Sequence, residues 1–268
     1  MAGTLERIEK DLVVLGEVVA SLAAEFYSSY SRYLPSLGQA VRQQLILASY
    51  HICTQGYPDA FVSLPFSGRQ QLQKSLRQMA EQAQTQLPLL VENISSSAGQ
   101  ESEISDSTNA IANTINLSTI TNPEQLGKWI EKLEEAIAQT LQQLSRSSNR
   151  LLQQSGILPS QLPEEVLEVA AQAGASGENV LGQPNLLNLV METQNPQEPE
   201  SANITQILAI RLRLSEIEFA DTAVMANRNQ IRHLSSRLST LRREYHKKQR
   251  ERTIAEAEAA WRSSWFEE

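Results

Sequence analysis

The chain has 268 residues and a formal charge of −8, from 31 Asp and Glu against 23 Lys and Arg. Eleven Gly and ten Pro give roughly 8% of turn formers against about 12% in an average chain. That is too few for an all-β fold, and the composition also excludes a collagen-like chain and a disulfide scaffold. With 26 Gln and only 14 aromatic residues, narrow apolar stripes on helices are expected rather than a deep core. The expected class is all-α: a helical bundle, a long coiled-coil-like C-terminal helix and two flexible linkers.

The single cysteine, Cys53, cannot make an internal disulfide, and Glu6, Glu9 and Asp11 stand where a secretory leader would be basic and then apolar. A reducing, cytoplasmic location is expected. No uncharged apolar run reaches about 18 residues, so the chain is expected to touch a membrane at most, not to span one.

Residues 1–92 read as an N-terminal helical bundle. Leu5, Ile8, Leu12, Leu15, Val19, Leu22 and Phe26 recur in steps of three and four, with Val13, Val14 and Val18 widening the seam. Pro35 is expected to end or kink this helix, because it lacks an amide hydrogen and biases Leu34 out of the α region. A second helix follows through Leu37, Val41, Leu45, Ala48 and Ile52, folding back on the first. After a connector, a third helix capped at Ser67 turns Leu72, Leu76 and Met79 inward. Residues 93–121, rich in Ser, Asn and Thr, read as a flexible linker.

A middle helical segment over 122–174 opens at Asn122-Pro123-Glu124, with Asn as cap and Pro at the first helical position. Its stripe is Leu126, Trp129, Ile130, Leu133, Ile137, Leu141 and Leu144. A short helix between Pro163 and Gly174 follows, and residues 175–203 read as a second linker with a docking patch at Leu186–Met191. Residues 204–268 read as one long basic helix. Ile210, Ile217, Val224, Ile231, Leu238 and Tyr245 recur every seven residues, with Asn227, Leu234 and Leu241 at inner positions. These nine are the expected partner or oligomer seam; Asn227 either fixes register as a buried Asn or marks a break in the packing near Ala226-Asn227-Arg228.

Charge is split along the chain. Residues 1–200 hold 11 basic and 22 acidic side chains, whereas residues 201–268 hold 12 and 9. Arg237, Arg242, Arg243, Lys247, Lys248, Arg250 and Arg252 form an expected patch for an anionic partner or lipid phosphates. The bland alternative is a solvated face that pairs with the chain's own acids. Trp261, Trp265 and Phe266 are the expected anchor, for a membrane interface, a partner groove or the protein's own bundle.

Catalytic patterns are missing. There is no Gly-rich phosphate loop or nucleophile elbow, none of the three His has a Glu three residues before it, and adjacent pairs such as Glu134-Glu135 diverge on a helix. No catalytic residue, metal ligand or cofactor is expected. The reading is a non-enzymatic scaffold or adaptor with a protein partner and self-association into a homo-oligomer. A peripheral adaptor on an anionic membrane surface is the alternative. Nucleic acid is the less favoured partner, because no base-reading motif or stacking platform accompanies the basic run.

The stretch SYHICTQGYPDAFVSLPFSGRQQLQKSLRQM resembles Gln- and Leu-rich helical proteins of cyanobacterial type. The resemblance covers about residues 40–90 and implies a thylakoid or plasma-membrane surface for the membrane alternative. It carries over no site residue.

Overall fold

The computed structural model describes residues 2–97, 120–159, 183–194 and 202–265. Among them the fold is all-α in character: six α-helices and one two-stranded sheet. Helix α1 spans Ala2–His51. Ile8, Val19, Leu22 and Phe26 are buried along it, but Val13, Val14 and Val18 are exposed, so the inner seam is narrower than expected.

The break expected at Pro35 does not occur, and the two helices expected to fold back on each other are one. An interior proline costs about 3 kcal/mol. Here Tyr33, Leu34 and Leu37 are wholly buried on either side of it, and each such side chain contributes about 1.5–3 kcal/mol when buried. The penalty is outweighed. The helix over Leu5–Gly56 is long and apolar enough to cross a membrane by length and composition. Membrane association is thereby weakly allowed.

A π turn, Ile52–Gly56, ends α1, with the Tyr57 amide donating to the Ile52 carbonyl at 2.8 Å. The short helix α2, Pro58–Ser63, and the long α3, Phe66–Ser97, follow. Helix α3 starts one residue before the expected cap Ser67 and runs through Pro88 into the expected first linker. The remainder of that linker, 98–119, lies outside the described residues.

Helix α4 covers Pro123–Gln154 and begins as its sequence dictates, the Asn122 side chain accepting from the Glu124 amide at 2.8 Å. Leu126, Trp129, Leu133, Ile137, Leu141 and Leu144 are all buried. It closes at Gly156, whose φ of +73° suits a residue without a Cβ. The Ile157 amide then returns to the Leu152 carbonyl at 2.9 Å. The short helix expected before Gly174 falls outside the described residues.

The largest departure from expectation lies next. Strands β1, Leu186–Gln194, and β2, Ala202–Ile210, pair antiparallel with Leu186 opposite Ile210 and Gln194 opposite Ala202. The docking patch is therefore a strand, and residues 204–210 are not the start of the long helix. The β-branched residues of ITQILAI fit a pleated strand, and that preference prevails over the seven-residue pattern. Helix α5, Leu214–Ala220, ends at Asp221, which caps α6, Thr222–Ser264, by accepting from the Ala223 and Val224 amides at 2.9 and 3.1 Å.

Packing divides the chain into two units built from separate stretches. The first comprises Met1–Tyr33, Leu89–Glu135 and Ala226–Glu268, the second Leu34–Pro88 and Ala136–Met225. In the first, a cluster of Phe26, Tyr30, Tyr33 and Trp129 forms the core, with Tyr30 5.8 Å edge-on from Trp129. In the second, Gly38 permits close approach of α1 to α3, since a Cβ there would stand 2.9 Å from the Gln84 carbonyl oxygen. The sheet is tied to α4 by Asn149, whose amide donates to the Ile210 carbonyl and accepts from the Ile210 amide at 2.9 and 2.8 Å.

Candidate functional site

Helix α6 carries most residues that the sequence singles out. Of the expected seam, Val224, Ile231, Leu234, Leu238 and Leu241 are buried, while Asn227 and Tyr245 are half-buried. Ile210 ends β2 and Ile217 sits in α5, both buried in the second unit. The nine residues thus do not form one helical stripe. The buried ones are covered by their own chain, so they are not open to a partner in the folded protein.

Several cations of α6 meet acids of the first unit. Arg228 pairs with Glu134 and lies 5.6 Å over the Tyr33 ring. Arg237 donates twice to Glu25, at 2.5 and 3.1 Å, and this hydrogen bonding raises its pKa. Arg242 Nε stands 2.9 Å from Glu124 as an ion pair without hydrogen-bond geometry, and its guanidinium fills the space a side chain on Gly127 would need. His246 meets the same carboxylate at 2.9 Å. Lys248 bridges Asp11 and Glu251 at 3.0 and 3.1 Å, and the bond to Asp11 is the main cause of its raised pKa. Arg252 pairs with Glu256 one turn on. Of the expected anionic-partner patch, Arg237, Arg242, Lys248 and Arg252 are therefore engaged within the chain.

Arg243, Lys247 and Arg250 differ. They are exposed, and among the described residues none has an ion pair. At about 100° per residue, they share an arc of roughly 80° with Ile254, Glu258, Trp261 and Trp265. The buried Leu234, Leu238 and Leu241 point the opposite way. Ile254, Trp261 and Trp265 are 50%, 66% and 62% exposed, and the two indoles lie 5.6 Å apart. Phe266, the third expected anchor, is outside the described residues. The sequence separates the basic patch from the aromatic anchor; the structure joins part of each on one outward face. The spacing 243, 247, 250, 254 was the signal available for it.

A second surface feature belongs to the second unit: an open groove of about 730 Å³ where Phe61 and Phe66 meet Arg69, Lys74 and Arg77. Cys53 is buried, and burial pushes its thiol up to about 11. Among the described residues there is no group of three or more His, Cys, Asp or Glu side chains able to hold a metal ion. No protein-family model, curated protein or solved structure matches the chain.

Proposed function

We propose that this protein is a non-enzymatic helical adaptor that works from the cytoplasm, or from the cytoplasmic face of a membrane, by presenting the distal half of α6 to a partner. One observation carries the reading. From Arg242 to Trp265 no residue is buried, yet this stretch holds two of the three tryptophans in the chain. Large exposed aromatic rings beside unpaired cations have the composition of a binding surface, where Trp and Arg dominate affinity. Self-association, where it occurs, is read as using this arm, since the heptad side chains are occupied within the chain.

The test compares the full chain with one stopped after Lys248, both expressed in the cell of origin and fractionated by size and by membrane sedimentation. The stopped chain should keep its helical circular dichroism per residue, because none of the removed residues up to Trp265 is buried. The full chain should enter large or membrane-bound fractions and the stopped chain should not. Two chains that both run at monomer size would defeat the adaptor reading.

A further inference from the structure

Resting on that adaptor reading, we infer that the partner of α6 is an anionic membrane surface. Arg243, Lys247 and Arg250 would stand over lipid phosphates, with Ile254, Trp261 and Trp265 at the boundary of headgroups and acyl chains. The stripe from Arg243 to Trp265 covers about 33 Å at 1.5 Å per residue, and a plane can touch all of it at once because it occupies one side of a helix.

Charge complementarity favours lipid. The three cations on this face have no ion pair among the described residues, whereas Arg237, Arg242 and Lys248, which face the bundle, are engaged by Glu25, Glu124 and Asp11. The acid on the stripe, Glu258, is met by Arg262 at 3.5 Å. Clustered basic residues are attracted to anionic leaflets, and indole sits at the level of the headgroups, with its ring in the apolar boundary and its N–H in water.

The pattern suits a helical partner less well. Ile254, Trp261 and Trp265 are the large apolar side chains on the stripe within the 23 residues from Arg243 to Trp265, too sparse for knobs-into-holes packing, which needs two in every seven. Docking also leaves the fold intact, because Leu234, Leu238 and Leu241 look the other way and are already buried.

The experiment is flotation of the full chain with vesicles of 70% phosphatidylcholine and 30% phosphatidylserine, against pure phosphatidylcholine, at 0.1 and 0.5 M NaCl. Binding to the anionic vesicles should be at least tenfold stronger, should fall at least tenfold in high salt, and should shift tryptophan emission to the blue, since the third tryptophan, Trp129, is already buried. The variants Arg243→Gln/Lys247→Gln/Arg250→Gln and Trp261→Ser/Trp265→Ser should each lose binding with unchanged circular dichroism. Arg237→Gln should retain it.

Absence of binding to anionic vesicles overturns the lipid assignment, as does a stripe variant that floats like the parent. If binding is absent but light scattering shows a dimer that Trp261→Ser/Trp265→Ser dissociates, the face belongs to a second copy and the adaptor reading survives. If removing the arm changes neither fractionation nor assembly, the adaptor reading itself fails.

Discussion

Arg228 grips Glu134 through both terminal nitrogens of its guanidinium, one of them 3.0 Å from Oε2. Tyr30 donates its hydroxyl to the same carboxylate at 2.5 Å, and burial, then the Glu134 charge, raises the Tyr30 pKa. The two charged side chains are 18% and 28% exposed, so desolvation offsets much of their attraction, but losing one partner strands the other. Arg228→Met should cost about 2–3 kcal/mol, read as a lower urea midpoint. Adding Glu134→Leu and Tyr30→Phe should restore at least half of that loss. No recovery would mean that the polar cluster contributes more than its apolar replacement can.

Asn149 satisfies both backbone groups of Ile210 inside the second unit. Asn149→Ala should leave that amide and carbonyl buried without partners, at about 1–3 kcal/mol for each unpaired group. Hydrogen exchange at the Ile210 amide should accelerate. An unchanged rate would show that water or another group takes over.

Cys53 titrates late because burial disfavours its thiolate, with its pKa pushed up to about 11 from an ordinary 9. Below pH 9 the thiol is protonated in both the folded and unfolded chain, so it leaves stability unchanged. Between pH 9 and 11 the unfolded chain ionises while the folded one does not, and stability falls as pH rises, by about 3 kcal/mol at most. Urea midpoints at pH 8 and 10.5 should diverge more for the parent than for Cys53→Ala. Tyr30 and Tyr57, also raised by burial, contribute the alkaline slope that remains.

Pro35 is exposed within a continuous helix. Pro35→Ala supplies the missing amide and relieves the clash with the preceding turn, at the cost of a less restricted unfolded chain. A net gain of about 1–2 kcal/mol is expected, seen as a higher melting temperature. A lower one would show that the bend a proline imposes is needed for packing.

Helix α4 was legible almost residue by residue, from the Asn122 cap to the stripe ending at Leu144, because cap, period and burial agree there. Pro35 was not, since a local penalty says nothing about how much side chain is buried on either side of it. The heptads misled for a related reason. Ile210 closes a strand and Ile217 lies in a separate short helix, yet both fall at seven-residue intervals from Val224. Strand, turn and helix each needed an inward apolar residue, and the spacing happened to coincide. Asp221, a good cap in mid-pattern, marked the true start of α6. For the candidate site, the charges on α6 were visible in the sequence. Which of them were already engaged by Glu25, Glu124 and Asp11 depended on contacts between residues more than 100 positions apart.

The first unit draws its core from Tyr30 near one end of the chain and from Ile231 to Leu241 near the other. On a ribosome adding about 5–20 residues per second, Tyr33 is made roughly 10–40 s before Arg228, the α6 residue whose guanidinium lies over its ring. For the first half of that interval the Trp129 ring that packs on Tyr30 is missing as well, so Phe26, Tyr30 and Tyr33 lack a complete core. The nascent chain therefore has a built-in window in which a chaperone or an early assembly partner can hold its N-terminal helix, and synthesis of α6 closes that window.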